Sequence, residues 1–323
     1  MPSRKRPRRG SLQYYPRKRS RRIYPRINFS EEMKEGLKEV KPLTFVGYKA
    51  GMTHVQITKG NKIESIPVTV IDAPPVFVCG LRFYGKDTSG FKPLGEIWAK
   101  NIPKDLEIER RIGKGKKKKE FEFEKNKDRV VEIRLIVCTQ PKKSGIHKKK
   151  PELFEIALGG SVEEQYKYGA DKIGKELKPE EVFRVGEYCD VTAVTKGHGY
   201  TGSVKRFGIK IQGRKDEQHH RHPGSIGSTI PRKIDWRVPL PGQCGFFQRT
   251  EYNKHIIMIN EDAKKVNPVS GFVNYGLVKG SFILVEGSVP GPKKRLIFLR
   301  RPLRTKKYEP IEVKYISQKS QQG

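Results

Sequence analysis

Residues 43–79 form one continuous stretch, LTFVGYKAGMTHVQITKGNKIESIPVTVIDAPPVFVC, whose pattern indicates a β fold. It is rich in Val, Ile, Thr and Phe, and much of it alternates between polar and apolar residues, which is typical of half-buried strands. The pattern predicts strands over 43–47, 53–58, 63–71 and 76–79. Glycine and proline punctuate these strands, which favours an antiparallel barrel or sandwich.

The same strand pattern returns later in the chain, after a long interruption. Four further apolar runs occur at 188–194, 255–259, 281–285 and 296–299. Because these runs resemble the first stretch in composition and length, we assign them to the same β body. The predicted body is assembled from residues 41–84, 188–212 and 251–300.

Residues 85–187, which interrupt the body, differ from it in character. Three runs look helical (94–99, 151–158 and 162–173), and 130–138 is a strong strand candidate. Two lysine-rich runs, 114–119 and 142–150, lie between them. We therefore predict an inserted α+β lobe with basic loops, which makes the fold mainly β with an α+β insertion.

Length and composition exclude several classes of protein. The 323 residues allow about two domains, and a hydrophobic fraction of 35% is enough to build a core. No run approaches the ~18 apolar residues of a membrane helix, and no apolar signal region opens the chain. The four cysteines lie more than fifty residues apart, which suits neither a zinc site nor a compact disulfide framework. The expectation is a reduced cytoplasmic protein.

The positive charge is concentrated in three segments of the chain. The net charge is +33, and residues 1–27, 196–250 and 290–307 contribute +11, +8 and +8 of it. Charge gathered in this way predicts a polyanionic partner, bound with strong salt dependence. A membrane surface is the competing polyanion, but prolines at 2, 7, 16 and 25 break the amphipathic helix that membrane binding would favour. Nucleic acid is the favoured partner.

The basic N-terminal arm is assigned to residues 1–40. It interleaves arginine with tyrosine, a mixture that suits phosphate neutralisation and base stacking in RNA, although a solvated solubility tail is the alternative. Alone it should be disordered, because it has little to bury, and a helix is predicted to start at 30–33. The predicted RNA-binding residues here are Arg4, Lys5, Arg6, Arg8, Arg9, Tyr14, Tyr15, Arg17, Arg19, Arg21 and Arg22.

Residues 213–250 are predicted to form a basic finger loop. Between 213 and 233 the only large aliphatic residues are Ile226 and Ile230, so this segment cannot form a core of its own. Extended out and back, it would reach at most ~60 Å. Its predicted RNA-binding residues are Arg214, Lys215, His219, His220, Arg221, His222, Ser225, Arg232, Lys233, Trp236 and Arg237, preceded by Lys196, His198, Lys205 and Arg206.

A third basic segment precedes and enters the predicted C-terminal tail, 301–323. Its predicted RNA-binding residues are Lys293, Lys294, Arg295, Arg300, Arg301 and Arg304.

The two tryptophans are interpreted by their sequence context. Trp98 is assigned to the core, whereas for Trp236 stacking on RNA and packing at the base of the finger remain equally open.

Enzymatic chemistry has little support in the sequence. The histidines at 219, 220 and 222 have no cysteine or carboxylate at tetrahedral spacing, and Arg221 between them would repel a cation. The glycine-rich run 197–202 lacks the Gly-Lys-Ser/Thr of a phosphate-binding loop. We predict no catalytic residue, metal, cofactor or small-molecule substrate. Two rival classes stay open, an RNA-modifying or RNA-cleaving enzyme and a DNA-architectural protein.

Four short stretches together resemble a known family. Residues 45–54 (FVGYKAGMTH), 194–202 (VTKGHGYTG), 222–227 (HPGSIG) and 241–245 (PGQCG) are similar, in order and spacing, to the universal third large-subunit ribosomal protein, the L-three family. The length, the basic arm and the inserted lobe resemble the archaeal form.

The resemblance implies a structural protein of the large ribosomal subunit that binds its rRNA early in assembly. It further implies a six-stranded β-barrel of the translation-protein type, an arm and a central loop that run into RNA, and a loop that approaches the peptidyl transferase centre. The matching positions are 4–26 and 214–237, and the L-fourteen family is an implied neighbour. Eukaryotic relatives carry a tryptophan at the loop tip where this chain has Ser228-Thr229-Ile230-Pro231, so a role of that indole does not transfer.

Overall fold

The computed structural model describes residues 7–29, 40–59, 62–88, 90–103, 121–230, 232–304, 308 and 311–319. The chain divides into two compact units. We call residues 1–23 with 194–249 the small unit, and residues 24–193 with 250–323 the large unit. The helix start predicted at 30–33 and the lysine run at 114–119 lie outside the described residues.

The described chain is mainly β, with two α-helices. The helices are α1 (Val162–Lys172) and α2 (Ser203–Phe207). The strands are β1 (Thr44–Lys59), β2 (Lys62–Asp72), β3 (Val76–Asp87), β4 (Gly90–Trp98), β5 (Glu132–Cys138), β6 (Leu153–Ala157), β7 (Glu176–Leu177), β8 (Tyr188–Val194), β9 (Gly197–Thr201), β10 (Gly242–Gly245), β11 (Gln248–Asn260), β12 (Phe282–Glu286), β13 (Leu296–Arg300) and β14 (Glu312–Ile316).

The first sheet joins the strands predicted on both sides of the insertion. Its order is β13-β8-β11-β12-β2-β1-β14, and β13 also pairs with β1, so the pairings of six strands return to their starting point. Val55, Val70, Ile283 and Leu299 are among its fully buried side chains. The sequence therefore located this sheet correctly, while β14 was missed inside the predicted tail.

β1 is one long strand where two were predicted, because its glycines serve packing rather than turns. A Cβ at Gly47 would lie 2.5 Å from Ile71 Cγ2, and one at Gly51 would lie 2.4 Å from Phe272 Cδ1. Contacts this short exclude a side chain, so both glycines allow close packing within a continuous strand. The strand tolerates a register shift between Lys49 and Gly51, which marks a β-bulge.

The second sheet has the order β4-β3-β5-β6, and β7 pairs with β3. The runs 94–99 and 151–158, predicted as helical, belong largely to strands β4 and β6, so both predictions were wrong. Pairing with β3 and β5 decides their conformation, since packing overrides weak local preference. The strand predicted over 76–79 begins β3 and lies in this sheet, not in the sheet of β1 and β2.

Helix α1 is confirmed at the predicted position. Its N-terminus carries a capping box formed by Ser161 and Glu164, which satisfies backbone N–H groups that the helix leaves free. Trp98, assigned to the core from the sequence, is half-buried and packs against the cluster of Phe77 and Cys79 without belonging to its buried residues. Its indole N–H donates to Glu96 Oε2 at 2.9 Å.

A buried carboxylate fixes the end of the first sheet. Asp190 on β8 is fully buried and accepts hydrogen bonds from the backbone N–H of Asn253 (3.0 Å) and of Leu303 (3.2 Å). Arg300 Nη2 lies 3.3 Å from Asp190 Oδ2. Three parts of the chain thus meet at one carboxylate, which orders the segment that follows β13.

A second carboxylate is buried between the sheet and a loop of the large unit. Asp72 Oδ2 accepts hydrogen bonds from the Tyr275 hydroxyl (2.6 Å) and the Gly145 N–H (3.3 Å). Burial raises the pKa of Asp72 to about 6, although both hydrogen bonds act in the opposite direction.

All four cysteines are free thiols. No helix in the described ranges is long and apolar enough to cross a membrane.

Candidate nucleic-acid interface

The small unit is the most highly charged part of the molecule. Its 79 residues contain 21 lysines and arginines, and its acids are Asp216, Glu217 and Asp235. The resulting +18 is more than half of the net charge of +33, carried by about a quarter of the chain. Such a density of one sign requires anions for neutralisation.

A two-stranded sheet, β9 with β10, supports this unit. Gly242 pairs with Thr201, and Gly245 pairs with Gly197. Gly245 has φ 69°, and a Cβ there would lie 2.1 Å from the Lys196 carbonyl oxygen, so only glycine allows the strands to approach this closely. Tyr200 on β9 is 76% exposed, and Lys196 and His198 beside it are exposed as well.

Helix α2 anchors the base of the finger loop. Arg206 on this helix donates to the carbonyl oxygens of Leu240 (2.8 Å) and Gln243 (3.1 Å). Burial lowers the pKa of Arg206. The Arg206 guanidinium, which was predicted to contact RNA, is therefore engaged in hydrogen bonds within the protein. Lys205 on the same helix is exposed.

The finger has little regular structure, and most of the described side chains between 213 and 237 are exposed. A 3-10 turn spans Arg214–His219, and the described strands within the finger are β10 and the first residues of β11. Trp236 is 53% exposed, and Ile230, near the tip, is 83% exposed. The predicted finger residues that are exposed are Arg214, Lys215, His219, Arg221, His222, Ser225, Arg232, Lys233, Trp236 and Arg237; His220 is half-buried.

The histidines of the finger contact each other. His219 Nδ1 and His222 Nδ1 lie 3.2 Å apart, within hydrogen-bonding distance. Over the described ranges, no three His, Cys, Asp or Glu residues are grouped in a way that could hold a metal ion. The cluster is a polar, partly aromatic surface that could contact RNA.

The arm packs onto its own unit through stacked arginines and aromatic rings. The Arg17 guanidinium lies 4.3 Å from the Tyr15 ring centroid and 4.7 Å from that of Phe207. The Tyr15 ring in turn contacts Trp236 edge-on, with centroids 4.6 Å apart. Trp236 thus joins arm to finger and still exposes about half of its surface.

A second set of stacked groups holds the arm to the residues after β10. Arg249 lies over the rings of Tyr14 (4.3 Å) and Phe247 (5.0 Å), and Arg19 lies over Phe246 (4.9 Å). Each such cation–π contact contributes about 0.5–2 kcal/mol. The tyrosines predicted to stack on bases are thus engaged with arginine, which gives the arm a defined conformation.

Comparison with known proteins agrees with this geometry. The family model for ribosomal protein L3 matches residues 1–323. The chain belongs to this family. It is 45% identical over 338 residues to the large ribosomal subunit protein uL3 of Methanopyrus kandleri, with 98% of this chain and 92% of the relative covered. Relatives of the same name from Methanococcus aeolicus and Methanocaldococcus jannaschii are 44% and 42% identical, each covered over 98% of its length.

Membership of the ribosomal protein L3 family confirms the resemblance found in the sequence, including its archaeal character. The protein is a structural ribosomal protein rather than an enzyme. The rival interpretation as an RNA-modifying enzyme is thereby removed. The histidines and the glycine-rich run 197–202 belong to a surface, not to an active site.

The C-terminal predicted residues lie on the large unit in different environments. Arg300 is buried against Asp190 and has no surface to offer RNA. Lys294 and Arg304 are exposed, and Lys293, Arg295 and Arg301 are half-buried. Burial lowers the pKa of Arg295 and Arg301. Of the six predicted residues here, all within the described ranges, only Lys294 and Arg304 are exposed.

The predicted RNA-binding residues of the arm also differ in their exposure to solvent. Arg8, Tyr14, Arg19, Arg21 and Arg22 are exposed, whereas Arg9, Tyr15 and Arg17 are half-buried. Arg4, Lys5 and Arg6 lie outside the described residues. Four residues that organise the arm were not predicted: Phe207, Phe246, Phe247 and Arg249. For Phe246 and Phe247, the sequence signal that could have identified them is the Phe-Phe pair directly after β10, which is unusual in a segment otherwise poor in large apolar residues.

Proposed function

We propose that the protein is a structural constituent of the large subunit of the cytoplasmic ribosome and binds its rRNA directly, chiefly through the small unit. The observation that carries this proposal is the charge of that unit, +18 on 79 residues, displayed on exposed side chains around a small Arg–aromatic framework. Each cation placed on a phosphate releases condensed counterions, so affinity is strong and salt-sensitive.

The finger supplies charge where RNA strands would otherwise repel each other. Its exposed cations neutralise phosphates, and Gly227, where a Cβ would meet no atom within 4 Å, allows the RNA backbone to approach closely. Trp236 and Tyr200 offer exposed rings on which bases can stack. By resemblance to its family, the loop runs toward the peptidyl transferase centre, where it acts by biasing RNA conformation without bond chemistry.

The large unit provides the body from which these elements extend. We infer that β1, β2, β12, β11, β8 and β13 form the six-stranded barrel of the translation-protein type, since their pairings return to the first strand. The proposed organisation retains an arm (1–40), a body (41–84, 188–212 and 251–300), an inserted lobe (85–187), a finger (213–250) and a tail (301–323). We further propose that the protein binds rRNA early in assembly of the subunit and that a protein of the L-fourteen family is its neighbour there.

Sedimentation of cell extract tests this function directly. Magnesium-containing sucrose gradients are fractionated, and the protein is quantified in each fraction by mass spectrometry. We expect near-stoichiometric protein in the large-subunit peak, retained after a moderate salt wash. Protein found only at the top of the gradient would contradict the proposal.

A further inference from the structure

A recess of about 350 Å³ opens on the large unit, at a place that the sequence pattern did not mark as a site. Its walls come from residues 49–53 of β1, from 268–273 and from 291–293 before β13. Lys319, which follows β14, adds to its rim. The volume lies near the lower end of the ~300–1,000 Å³ range of small-ligand pockets.

A β-bulge shapes one wall of the recess. Lys49 pairs with Ile71 and Gly51 pairs with Val70, so Ala50 is an extra residue in the strand. Bulges redirect neighbouring side chains. The Lys49 ammonium reaches across the wall and donates to the carbonyl oxygens of Val289 (2.6 Å) and Gly291 (3.2 Å). One of its three N–H donors remains for a further acceptor.

The floor of the recess is apolar and preformed. The Phe272 ring lies directly over Gly51, where any Cβ would lie 2.4 Å away. The turn that carries Phe272 is closed by reciprocal backbone hydrogen bonds with Gly276, at 2.8 and 2.9 Å. Met52 and Val273 complete the floor, and each is 37% exposed. The surface therefore needs no rearrangement to accept a flat ligand.

The charge of the recess is entirely positive. Its lining contains Lys49, Lys293 and Lys319 and no acidic side chain. Burial lowers the pKa of Lys49, Glu251 partly offsets this effect, and the charge of Lys293 lowers the pKa further. An anion bound beside Lys293 would offset this repulsion between its ammonium group and that of Lys49.

We propose that this recess holds one unstacked nucleotide of the large-subunit rRNA, with its base on Met52 and Val273 and its phosphate beside Lys293 at the cationic rim. The inference rests on the proposed function, because rRNA is the polyanion that this function supplies. An apolar floor beside a cationic rim is complementary to a base with its phosphate, and RNA recognition commonly uses such splayed-out bases. Lys49 supplies the remaining donor to the base or the sugar.

Crosslinking locates the nucleotide. The full chain is bound to large-subunit rRNA transcribed with 4-thiouridine or 6-thioguanosine, irradiated, digested and analysed by mass spectrometry. We expect a nucleotide on the peptide that carries Met52 or Val273. In parallel, the variant Lys293→Gln/Lys319→Gln should bind the same rRNA about fivefold more weakly at 0.1 M salt, because one phosphate contact contributes a salt exponent of about 0.7.

The controls separate this inference from the proposed function. Lys62→Gln/Lys92→Gln removes two exposed charges away from the recess and should leave the crosslink in place. Met52→Glu should abolish the crosslink with an unchanged melting temperature. Wild-type binding to rRNA without a crosslink in the recess would overturn the inference alone. A crosslink from the recess to a neighbouring ribosomal protein would also overturn it, and no binding of wild type to rRNA would overturn both.

Discussion

The two units of this protein are stabilised by different means. The large unit contains most of the buried side chains, and its sheets bury residues such as Phe45 and Ile283 completely. The small unit has few buried side chains, and arginines stacked on aromatic rings organise it instead. The comparison shows that a segment can have a defined conformation without a sizeable core when most of its aromatic rings contact arginines.

The difference also separates folding from binding. Stability of the large unit should depend on packing and on the protonation of buried carboxylates. Affinity for RNA should depend on the small unit and on salt concentration. A change in the large unit should therefore alter the stability and leave the affinity for RNA nearly unchanged. A change in the small unit should do the reverse.

The largest expected effect comes from removing the charge of the finger. A variant with glutamine at six exposed positions should lower the salt slope by about four and therefore bind large-subunit rRNA about ten-thousandfold more weakly at 0.1 M salt. The positions are Arg214, Lys215, Arg221, Arg232, Lys233 and Arg237. Filter binding across a salt series measures both quantities.

The matched control removes six exposed lysines of the large unit. They are Lys62, Lys86, Lys92, Lys100, Lys150 and Lys314. We expect a much smaller loss of affinity from this variant, although the net charge changes by the same amount. Equal losses in the two variants would show that total charge, rather than the finger, determines binding.

Truncation of a core side chain should have the next largest effect, and on stability alone. Phe45 is fully buried, so Phe45→Ala should lower the free energy of unfolding by about 3–5 kcal/mol. Ile230→Ala, at a side chain that is 83% exposed, should change it by less than about 0.5 kcal/mol. Urea denaturation followed by circular dichroism compares them, and similar losses would break the distinction between the units.

Asp72 should give the large unit a pH-dependent stability of its own. Its pKa is raised from 3.8 to about 6 in the folded state, so its favourable contribution is present below about pH 4 and is lost as pH rises through 6. The difference amounts to at most about 3 kcal/mol. Asp72→Asn should therefore gain stability relative to wild type between pH 4 and pH 7, as measured by urea denaturation at each pH. A constant difference across this range would contradict the assignment.

The smallest expected effect concerns the contact between arm and unit. Arg249→Gln removes the guanidinium that lies over Tyr14 and Phe247, a contact worth about 0.5–2 kcal/mol. The Ser20 N–H, which donates to the Phe246 carbonyl, should then exchange with deuterium at least about twofold faster. An unchanged exchange rate would mean that stacking at Arg249 does not hold the arm.

The sequence predicted the strands of the first sheet because alternation and flanking turns are local signals. It failed for 94–99 and 151–158, whose conformation is set by pairing with distant strands. It also divided β1 at glycines whose role, close packing against Ile71 and Phe272, is visible only in three dimensions.

The interface was predictable in outline and not in detail. Charge density located the arm and the finger, since composition alone reports it. Composition does not show which cations face solvent, and so Arg300 and Arg206 were selected although one is buried and the other holds carbonyl oxygens. The recess was invisible for the same reason, because its walls come from segments up to 270 residues apart.

Footprinting of the full chain shows which of the two units contacts the rRNA. Amide hydrogen exchange is measured by mass spectrometry with and without stoichiometric large-subunit rRNA. We predict that protection on binding is concentrated in residues 7–23 and 194–249, with a weaker footprint at the recess of the large unit. Protection spread over the large unit, with the finger left as fast-exchanging as in the free protein, would contradict the account.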